Sequence, residues 1–265
     1  MKIAVAQINT DDRVEANLDK VEKFAQQAAL GGASAVVFPE ATMAAFGTSL
    51  IQACIDFGEH WRMAMSALAQ QTVLNIIVGE FEQAGRRVRN LAALYRPDRS
   101  RTAYAKIHTY DAFGYRESET VEAGDSMLTV EIDTVTVGFA ICYDIRFPKL
   151  FAELSRSGAQ LIIVPTSWGA GSGKLEQWEV LTRARALDSN STIVAVDQAD
   201  PSVSGVQAVE SAPTGIGNSI VVDPFGHVII ELGRGEELHT VDIDPSRNKL
   251  AQKNIPVLAN AKLNY

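Results

Sequence analysis

Along the chain, short β-branched and apolar runs alternate with longer stretches in which apolar residues recur every three to four positions. The first pattern predicts buried strands and the second predicts amphipathic helices. Side chains alternate faces on a strand but return to one face with each helical turn. Strands are expected at Lys2–Ile8, Ala35–Phe38, Asn75–Phe81, Asn90–Tyr95, Arg101–Ala105, Met127–Ile132, Val135–Ile141, Gln160–Val164, Thr192–Val196, Ile220–Val222, His227–Glu231 and Leu238–Ile243. Helices are expected at Val14–Leu30, Glu59–Gln71, Pro148 to about Ser157, and Lys174 to about Ser189. Val14, Leu18, Val21 and Ala25 share one face of the first helix; Asp11-Asp12 can cap it and Gly31-Gly32 ends it. Gly85 marks a turn, Asn90–Tyr95 and Arg101–Ala105 read as a hairpin pair, and Asp223-Pro224-Phe225-Gly226 is a hairpin turn. His108–Gly124 lacks periodicity and reads as an ordered loop, and Gly169–Gly173 as a flexible connector.

Strands joined partly by hairpins and partly by helical crossovers predict an α/β layered domain. There is no internal repeat and no linker rich in Pro, Gly or Ser, so residues 1–265 are expected to form one domain with a polar tail from about Asp244. The end of that tail, Leu258–Tyr265, is expected to dock on a neighbour. No GxGxxG follows a strand and no GxSxG is present, so neither a dinucleotide fold nor an ordinary serine-hydrolase elbow is supported.

A net charge of -8 argues against nucleic acid as a partner. The local run Arg86, Arg87, Arg89, Arg96, Arg99 and Arg101 surrounds a hairpin and reads as a solvated or interface face. The two cysteines, Cys54 and Cys142, make no CxxC, and the four histidines show no ligand spacing, so no metal is expected. The apolar run at Met1–Ile8 is too short for a signal peptide, and no stretch is long enough to span a membrane. The expectation is a reduced, cytoplasmic protein in which a free thiol stays available.

Chemistry concentrates at strand ends. Val135–Ile141 leads straight into Cys142, and Phe147-Pro148 opens a helix shortly after. A thiol at a strand-to-helix turn sits on a rigid scaffold beside backbone N–H groups that can bind an oxyanion. On this window alone a buried core cysteine fits as well. Glu40 and Lys106 stand at the ends of two other strands, and sites in α/β sheets gather at the carboxyl ends of strands. A carboxylate, an ammonium and a thiol together can deprotonate a nucleophile, attack a carbonyl or nitrile carbon, and hold the resulting charge.

Phe38-Pro39-Glu40, Tyr104–His108 and Gly138–Pro148 resemble the three signature blocks of the nitrilase, or carbon–nitrogen hydrolase, superfamily; Lys2–Gln7 and Ser219–Gly226 are similar to it too. The resemblance spans roughly residues 1–245. It implies a four-layer α-β-β-α sandwich that pairs through its α faces into a homodimer or higher homo-oligomer, with no cofactor. It implies Glu40 as general base, Lys106 as stabiliser of the oxyanion and Cys142 as nucleophile. A second glutamate is matched best by Glu117, with neighbouring Glu119 a weaker alternative.

Lys106–Asp111 and Tyr115–Ser118 most resemble the branch of omega-amidases and deaminated-glutathione amidases, which cleave the terminal amide of small 2-oxo acid amides. The implied substrate is a small-molecule amide; a carbamoyl, ureido or nitrile substrate, or a non-catalytic binding protein on the same fold, are the alternatives. The chain departs from the branch at Pro165-Thr166-Ser167-Trp168 and the glycines after it, a segment that lines the acyl pocket in the family. Tyr143, Thr166 and Trp168 are the candidate substrate-binding residues, although core packing explains Trp168 equally well. Arg146 fits either a substrate contact or a scaffold pair with Glu40 or Asp144. Arg183 and Arg185 read as ion-pair partners, and Cys54 as a bystander in a loop or short helix. His60, His108, His227 and His239 read as structural or exposed.

Overall fold

A strand that is apolar on both faces needs cover on both sides, and the central strands of this chain receive it from two directions. The computed structural model describes residues 1–206 and 212–262. In chain order the elements are β1 (Lys2–Gln7), α1 (Val14–Leu30), β2 (Ala35–Val37), α2 (Leu50–Thr72), β3 (Asn75–Ala84), β4 (Arg87–Tyr95) and β5 (Arg101–Ala105). A small ribbon, β6 (Asp111–Ala112) and β7 (Tyr115–Arg116), precedes β8 (Thr129–Ile132), β9 (Val135–Phe139), α3 (Pro148–Arg156), β10 (Leu161–Thr166), α4 (Lys174–Ser189) and β11 (Thr192–Asp197). The chain closes with α5 (Pro201–Ser204), β12 (Ile220–Val222), β13 (Val228–Glu231), β14 (Glu237–Asp242), α6 (Ser246–Asn254) and α7 (Val257–Asn260).

Two six-stranded sheets result, in the orders β14-β1-β2-β3-β4-β5 and β13-β12-β11-β10-β9-β8. β1, β2 and β3 run parallel, as do β9, β10 and β11; the outer pairings are antiparallel. Alternation then distributes the side chains. Ile3 and Val5 join the core shared with β9, β10 and β11, while Ala4 and Ala6 join the core under α1 and α2. α3 and α4 cover the far side of the second sheet through Leu150, Phe151, Leu154, Trp178 and Ala186. This is the four-layer α-β-β-α sandwich.

β10 runs through Pro165 to Thr166, one strand residue further than proline suggests. The Ile163 carbonyl accepts from Ala140 N–H on the β9 side, and alternate residues point the same way. Pro165 therefore turns its nitrogen toward β9, which ends its pairing at Phe139, so no ladder bond is lost.

Two expectations about elements are corrected. α2 begins at Leu50 rather than Glu59, so Cys54 lies within the helix. Asp11 and Asp12 do not cap α1 by side chain: Arg13 holds the N-cap position, and Asp11 Oδ1 accepts the Arg13 N–H at 2.8 Å. The polar tail from Asp244 carries α6, anchored where Asn248 Nδ2 donates to the Asn190 carbonyl at 2.9 Å. The docking expectation for Leu258–Tyr265 falls partly on residues 263–265, which lie outside the described residues. Among the described residues, no helix is long and apolar enough to cross a membrane.

Candidate active site

Three neighbouring backbones bring the strand-end groups together. β2 releases the turn that carries Glu40, and that turn is pinned at every residue. Gly79 N–H donates to the Pro39 carbonyl at 3.1 Å, Gln198 Nε2 to the Glu40 carbonyl at 2.8 Å, and Thr10 Oγ1 to the Ala41 carbonyl at 3.0 Å. Lys106 follows β5 directly; its N–H donates to the Asn90 carbonyl at 2.9 Å and its carbonyl accepts from Gly124 N–H at 2.7 Å. Cys142 opens a short 3-10 turn, Cys142–Arg146, with φ at 46°. That left-handed conformation is strained for a residue with a side chain, and such strain recurs where a scaffold must aim a reactive group.

Asp144 holds the elbow in that shape. Its fully buried carboxylate accepts Ile141 N–H at 2.9 Å, Tyr104 Oη at 2.8 Å and His108 N–H at 3.0 Å. His108 Nδ1 lies 2.7 Å from the same carboxylate, and its ring stacks on Phe147 with centroids 3.6 Å apart. His108 is thus structural and ties the loop after β5 to the elbow after β9.

Inside these supports lies a buried cluster of charges. Lys106 Nζ donates to Glu40 Oε1 at 2.7 Å and to Glu117 Oε2 at 2.8 Å, and all three residues are 1% exposed. Asn90 Nδ2 donates to Glu40 Oε1 at 2.7 Å and to Glu117 Oε1 at 3.0 Å, so one amide bridges both carboxylates. Glu117 also accepts Tyr110 N–H at 2.6 Å, whereas Glu119 stays on the surface beside Arg116. Ser167 joins the cluster to the thiol: its N–H donates to Glu40 Oε2 at 2.9 Å, and its carbonyl accepts from Cys142 Sγ at 3.6 Å.

The electrostatics follow from burial. Loss of water pushes the Cys142 thiol well above its ordinary value, and the Glu40 carboxylate adds to this while Lys106 opposes it. Burial also raises Glu40; Lys106 pulls it down, the like charge of Glu117 raises it, and the Asn90 hydrogen bond lowers it. For Lys106 burial works against the charge, but Glu117 and then Glu40 outweigh it, and the ammonium is held well above its ordinary value. The resting site therefore contains a protonated thiol beside a carboxylate whose proton affinity has been raised toward it. Such an arrangement can pass the thiol proton to the carboxylate.

A narrow pocket opens onto this cluster. It is a tight cleft of about 310 Å³, open to solvent at its mouth. Its lining includes Glu40, Lys106, Glu117 and Cys142 at depth, then Tyr143, Arg146, Ser167, Trp168 and Lys174. Tyr143 and Trp168 thus stand where expected. Thr166 does not: it is fully buried, its Oγ1 turns back to the Val164 carbonyl at 3.1 Å, and Ser167 takes the lining position. Arg146 pairs with neither Glu40 nor Asp144. It donates to Gln177 Oε1 at 2.8 Å, with its guanidinium carbon 5.0 Å from the Trp168 ring centre. Further away, Arg185 pairs with Asp188 at 3.2 Å, while Arg183 donates to the Gly226 carbonyl and makes no ion pair among the described residues. Also among the described residues, no group of three or more His, Cys, Asp or Glu could hold a metal.

Several site residues went unread in the sequence. In the sequence Asn90 is the start of a strand, and its signal is a lone amide ahead of the apolar run Leu91–Tyr95. Asp197 is buried at the end of β11 and accepts Trp168 N–H at 2.7 Å and Ile216 N–H at 2.9 Å, fixing the pocket wall. Burial holds its carboxyl well above the ordinary range, against the pull of the Ile216, Trp168 and Gln198 N–H groups. Nothing local in the sequence separates it from a capping aspartate.

Comparison with known proteins places the chain in a family. The sequence profile of the carbon-nitrogen hydrolase family matches residues 2–253. Hydrolase Rv0480c of Mycobacterium tuberculosis is 46% identical over 98% of this chain and 95% of its own. Omega-amidase NIT2 of Xenopus tropicalis is 31% identical over 91% of this chain and 87% of its own. Deaminated glutathione amidase of Escherichia coli O157:H7 is 28% identical over 99% and 97%. Among solved structures, the Caenorhabditis elegans NitFhit protein superposes with a TM-score of 0.88 at 25% identity, over 98% of this chain and 65% of that one. A glutamate-to-glutamine mutant of an amidase from Nesterenkonia sp. AN1, which shows the result of Michael addition of acrylamide at its active-site cysteine, superposes with a TM-score of 0.80 at 21% identity, over 97% and 98%.

Proposed function

The chain belongs to the carbon–nitrogen hydrolase family, and from that premise we propose that it is a cysteine-dependent amidase that releases ammonia from a small carboxamide. The observation that carries this reading is the buried contact of Lys106 with both Glu40 and Glu117, one peptide away from the Cys142 thiol.

In this reading Cys142 Sγ attacks the carboxamide carbon while Glu40 takes the thiol proton. The raised thiol makes that transfer necessary, because little thiolate exists at rest. Charge gathers on the amide oxygen, where Lys106 Nζ and the Tyr143 backbone N–H receive it. The C–N bond breaks as Glu40 returns the proton to nitrogen, and ammonia leaves. The acyl group remains on sulfur as a thioester. Water then attacks the thioester carbon and gives a proton to Glu40; the C–S bond breaks and sulfur regains a proton. The carboxylic acid leaves. Glu117 holds Lys106 in place through both halves. The amidase names among the relatives support the choice of amide over nitrile.

The test is a screen for ammonia release over primary amides, ureido acids and nitriles, with Cys142→Ala as the blank. Primary amides are expected to turn over, and the Cys142→Ala protein is expected to melt normally and release nothing. Turnover of ureido acids or nitriles alone would move the chain to another chemistry of the same family. Loss of activity on Cys54→Ala without unfolding, or survival of activity in Cys142→Ala, would remove Cys142 as the nucleophile. Silence across the whole screen would favour a binding protein on this fold.

A further inference from the structure

The glycine-rich connector ends at Gly173, and the next residue, Lys174, opens α4 at the mouth of the pocket. Lys174 is only 6% exposed, yet it makes no ion pair among the described residues. Its Nζ reaches Tyr110 Oη at 3.5 Å and lies 3.3 Å from the centre of the Phe113 ring. Arg146 lines the same mouth, also without an ion pair among the described residues, and its buried Nε has no hydrogen-bond partner. Lys174 Nζ and the Arg146 guanidinium carbon lie 6.0 and 5.0 Å from one Trp168 ring centre. Two cations thus share the mouth of a pocket in a chain whose net charge is -8. Like charges brought together at a partly desolvated mouth repel unless an anion joins them.

The backbone around Phe113 bears on the same lysine. It sits in the two-residue turn between β6 and β7, with φ at 55°, followed by Gly114 at 84°. Turns with both central residues left-handed favour Asn-Gly or Gly-Gly, and a bulky aromatic there is strained. The strain places the Phe113 ring against the Lys174 ammonium, a cation–π contact that holds the lysine across the mouth.

We propose that Lys174 is a specificity-determining residue of this site: with Arg146 it forms a two-cation clamp that selects an amide carrying two negative charges at the end remote from Cys142. Arg146 serves the first charge, and Lys174 reads the second. The proposal rests on the amidase reading for the position of the amide, but the clamp can be tested without turnover.

The experiment measures binding by calorimetry to the full chain bearing Cys142→Ala, which cannot form a thioester. Three ligands are compared: butyramide, with no carboxylate; succinamate, with one; and tricarballylate monoamide, with two. Affinity is expected to rise by about tenfold or more with each carboxylate, as for partly desolvated charge pairs. Adding Lys174→Met should reduce the gain from the second carboxylate to less than about threefold, whereas Lys174→Arg should keep most of it, since charge is what is read. The Lys174→Arg comparison also stands if the Lys174→Met chain folds poorly. A second-carboxylate gain that survives Lys174→Met, or an equal loss for all three ligands, would overturn the proposal. Ammonia assays on the unmodified protein separate the two readings. Equal turnover of all three amides would overturn the clamp and leave the amidase. The expected binding order with no ammonia from any amide would uphold the clamp and overturn the amidase.

Discussion

Asn90 donates to two carboxylates that also share a single ammonium, and its effect on the Glu40 proton can be measured. Glu40 must be ionised to accept the thiol proton, and the Asn90 bond favours the ionised form. Burial has already raised Glu40 above the ordinary carboxylate value, so activity should fall as pH drops through that raised value. Asn90→Leu removes a donor to the charged form and raises Glu40 further. The acid limb of kcat/KM, or of Cys142 alkylation by iodoacetamide, should therefore move to higher pH; an unmoved limb would make Asn90 a packing residue only. The two glutamates separate by a different measurement. General-base catalysis is worth about 100- to 10,000-fold, so Glu40→Gln should block formation of the thioester as well as its hydrolysis. Glu117→Gln leaves the base in place and should let acyl-enzyme form and then hydrolyse slowly. Mass spectrometry of quenched reactions should show substrate mass on Cys142 in Glu117→Gln and bare protein in Glu40→Gln; the opposite pattern would exchange their roles. The placement of Glu40, Lys106 and Cys142 was legible because each follows a strand that periodicity reveals, whereas their roles came only with the resemblance to the family. Asn90, Asp144 and Asp197 were not legible, because each acts through groups far away in sequence, such as Tyr104 for Asp144 and Trp168 for Asp197.

Among the elements, β3 shows how backbone packing sets chemistry. A Cβ added at Gly79 would lie 2.4 Å from the Pro39 carbonyl oxygen and 2.7 Å from Glu40 Cα. Those atoms are backbone and cannot rotate away, so Gly79→Ala must push the Glu40 turn off the strand. A displacement near 1 Å in a catalytic group can cost about 100-fold. Gly79→Ala should lose activity on that scale and melt at a lower temperature. If the variant melts lower but keeps normal kcat, the turn adapts and the argument from rigidity fails. Gly79 reads in sequence as an ordinary glycine in a strand, since its partner turn lies forty residues upstream and the two meet only in the parallel sheet. The same kind of blindness shortened α2. Gly58 breaks the apolar pattern, yet the helix continues through it because Trp61 packs beneath and donates to Glu80 Oε2 at 3.0 Å. Tertiary contacts outweigh local propensity there. The β6–β7 ribbon was equally hidden, since its turn carries phenylalanine where pattern reading looks for asparagine.

At the scale of the whole molecule, the layers were legible because strands apolar on both faces demand cover on both, but the partner of the outermost layer was not. The resemblance to the family implies pairing through an α face, and the exposed apolar residues suggest which one. Val180 and Leu187 lie seven residues apart on one face of α4 and are 66% and 41% exposed. Leu187 packs beside Gly226 in the turn before β13, where Val228 and Ile229 are 42% and 41% exposed. Exposed apolar side chains thus stand on α4 and on the edge strand that its neighbouring turn opens. Exposed β-edges of this kind are normally covered or charged. A second copy of the chain, meeting the same patch about a two-fold axis, would bury it on both sides at once. The prediction is a dimer of 28.7 kDa chains in sedimentation at micromolar concentration. Val180→Glu, which would bury an unpaired charge at the interface, should yield the single chain without lowering its melting cooperativity. The site has a stake in the outcome. The first turn of α4 carries both Lys174 and Gln177, and Gln177 holds Arg146. Bracing α4 against a partner would steady the pocket mouth, so the Val180→Glu chain should show a raised KM for charged amides with kcat changed less. If the unaltered protein sediments as one chain, or Val180→Glu still dimerises, the pairing face is not this one.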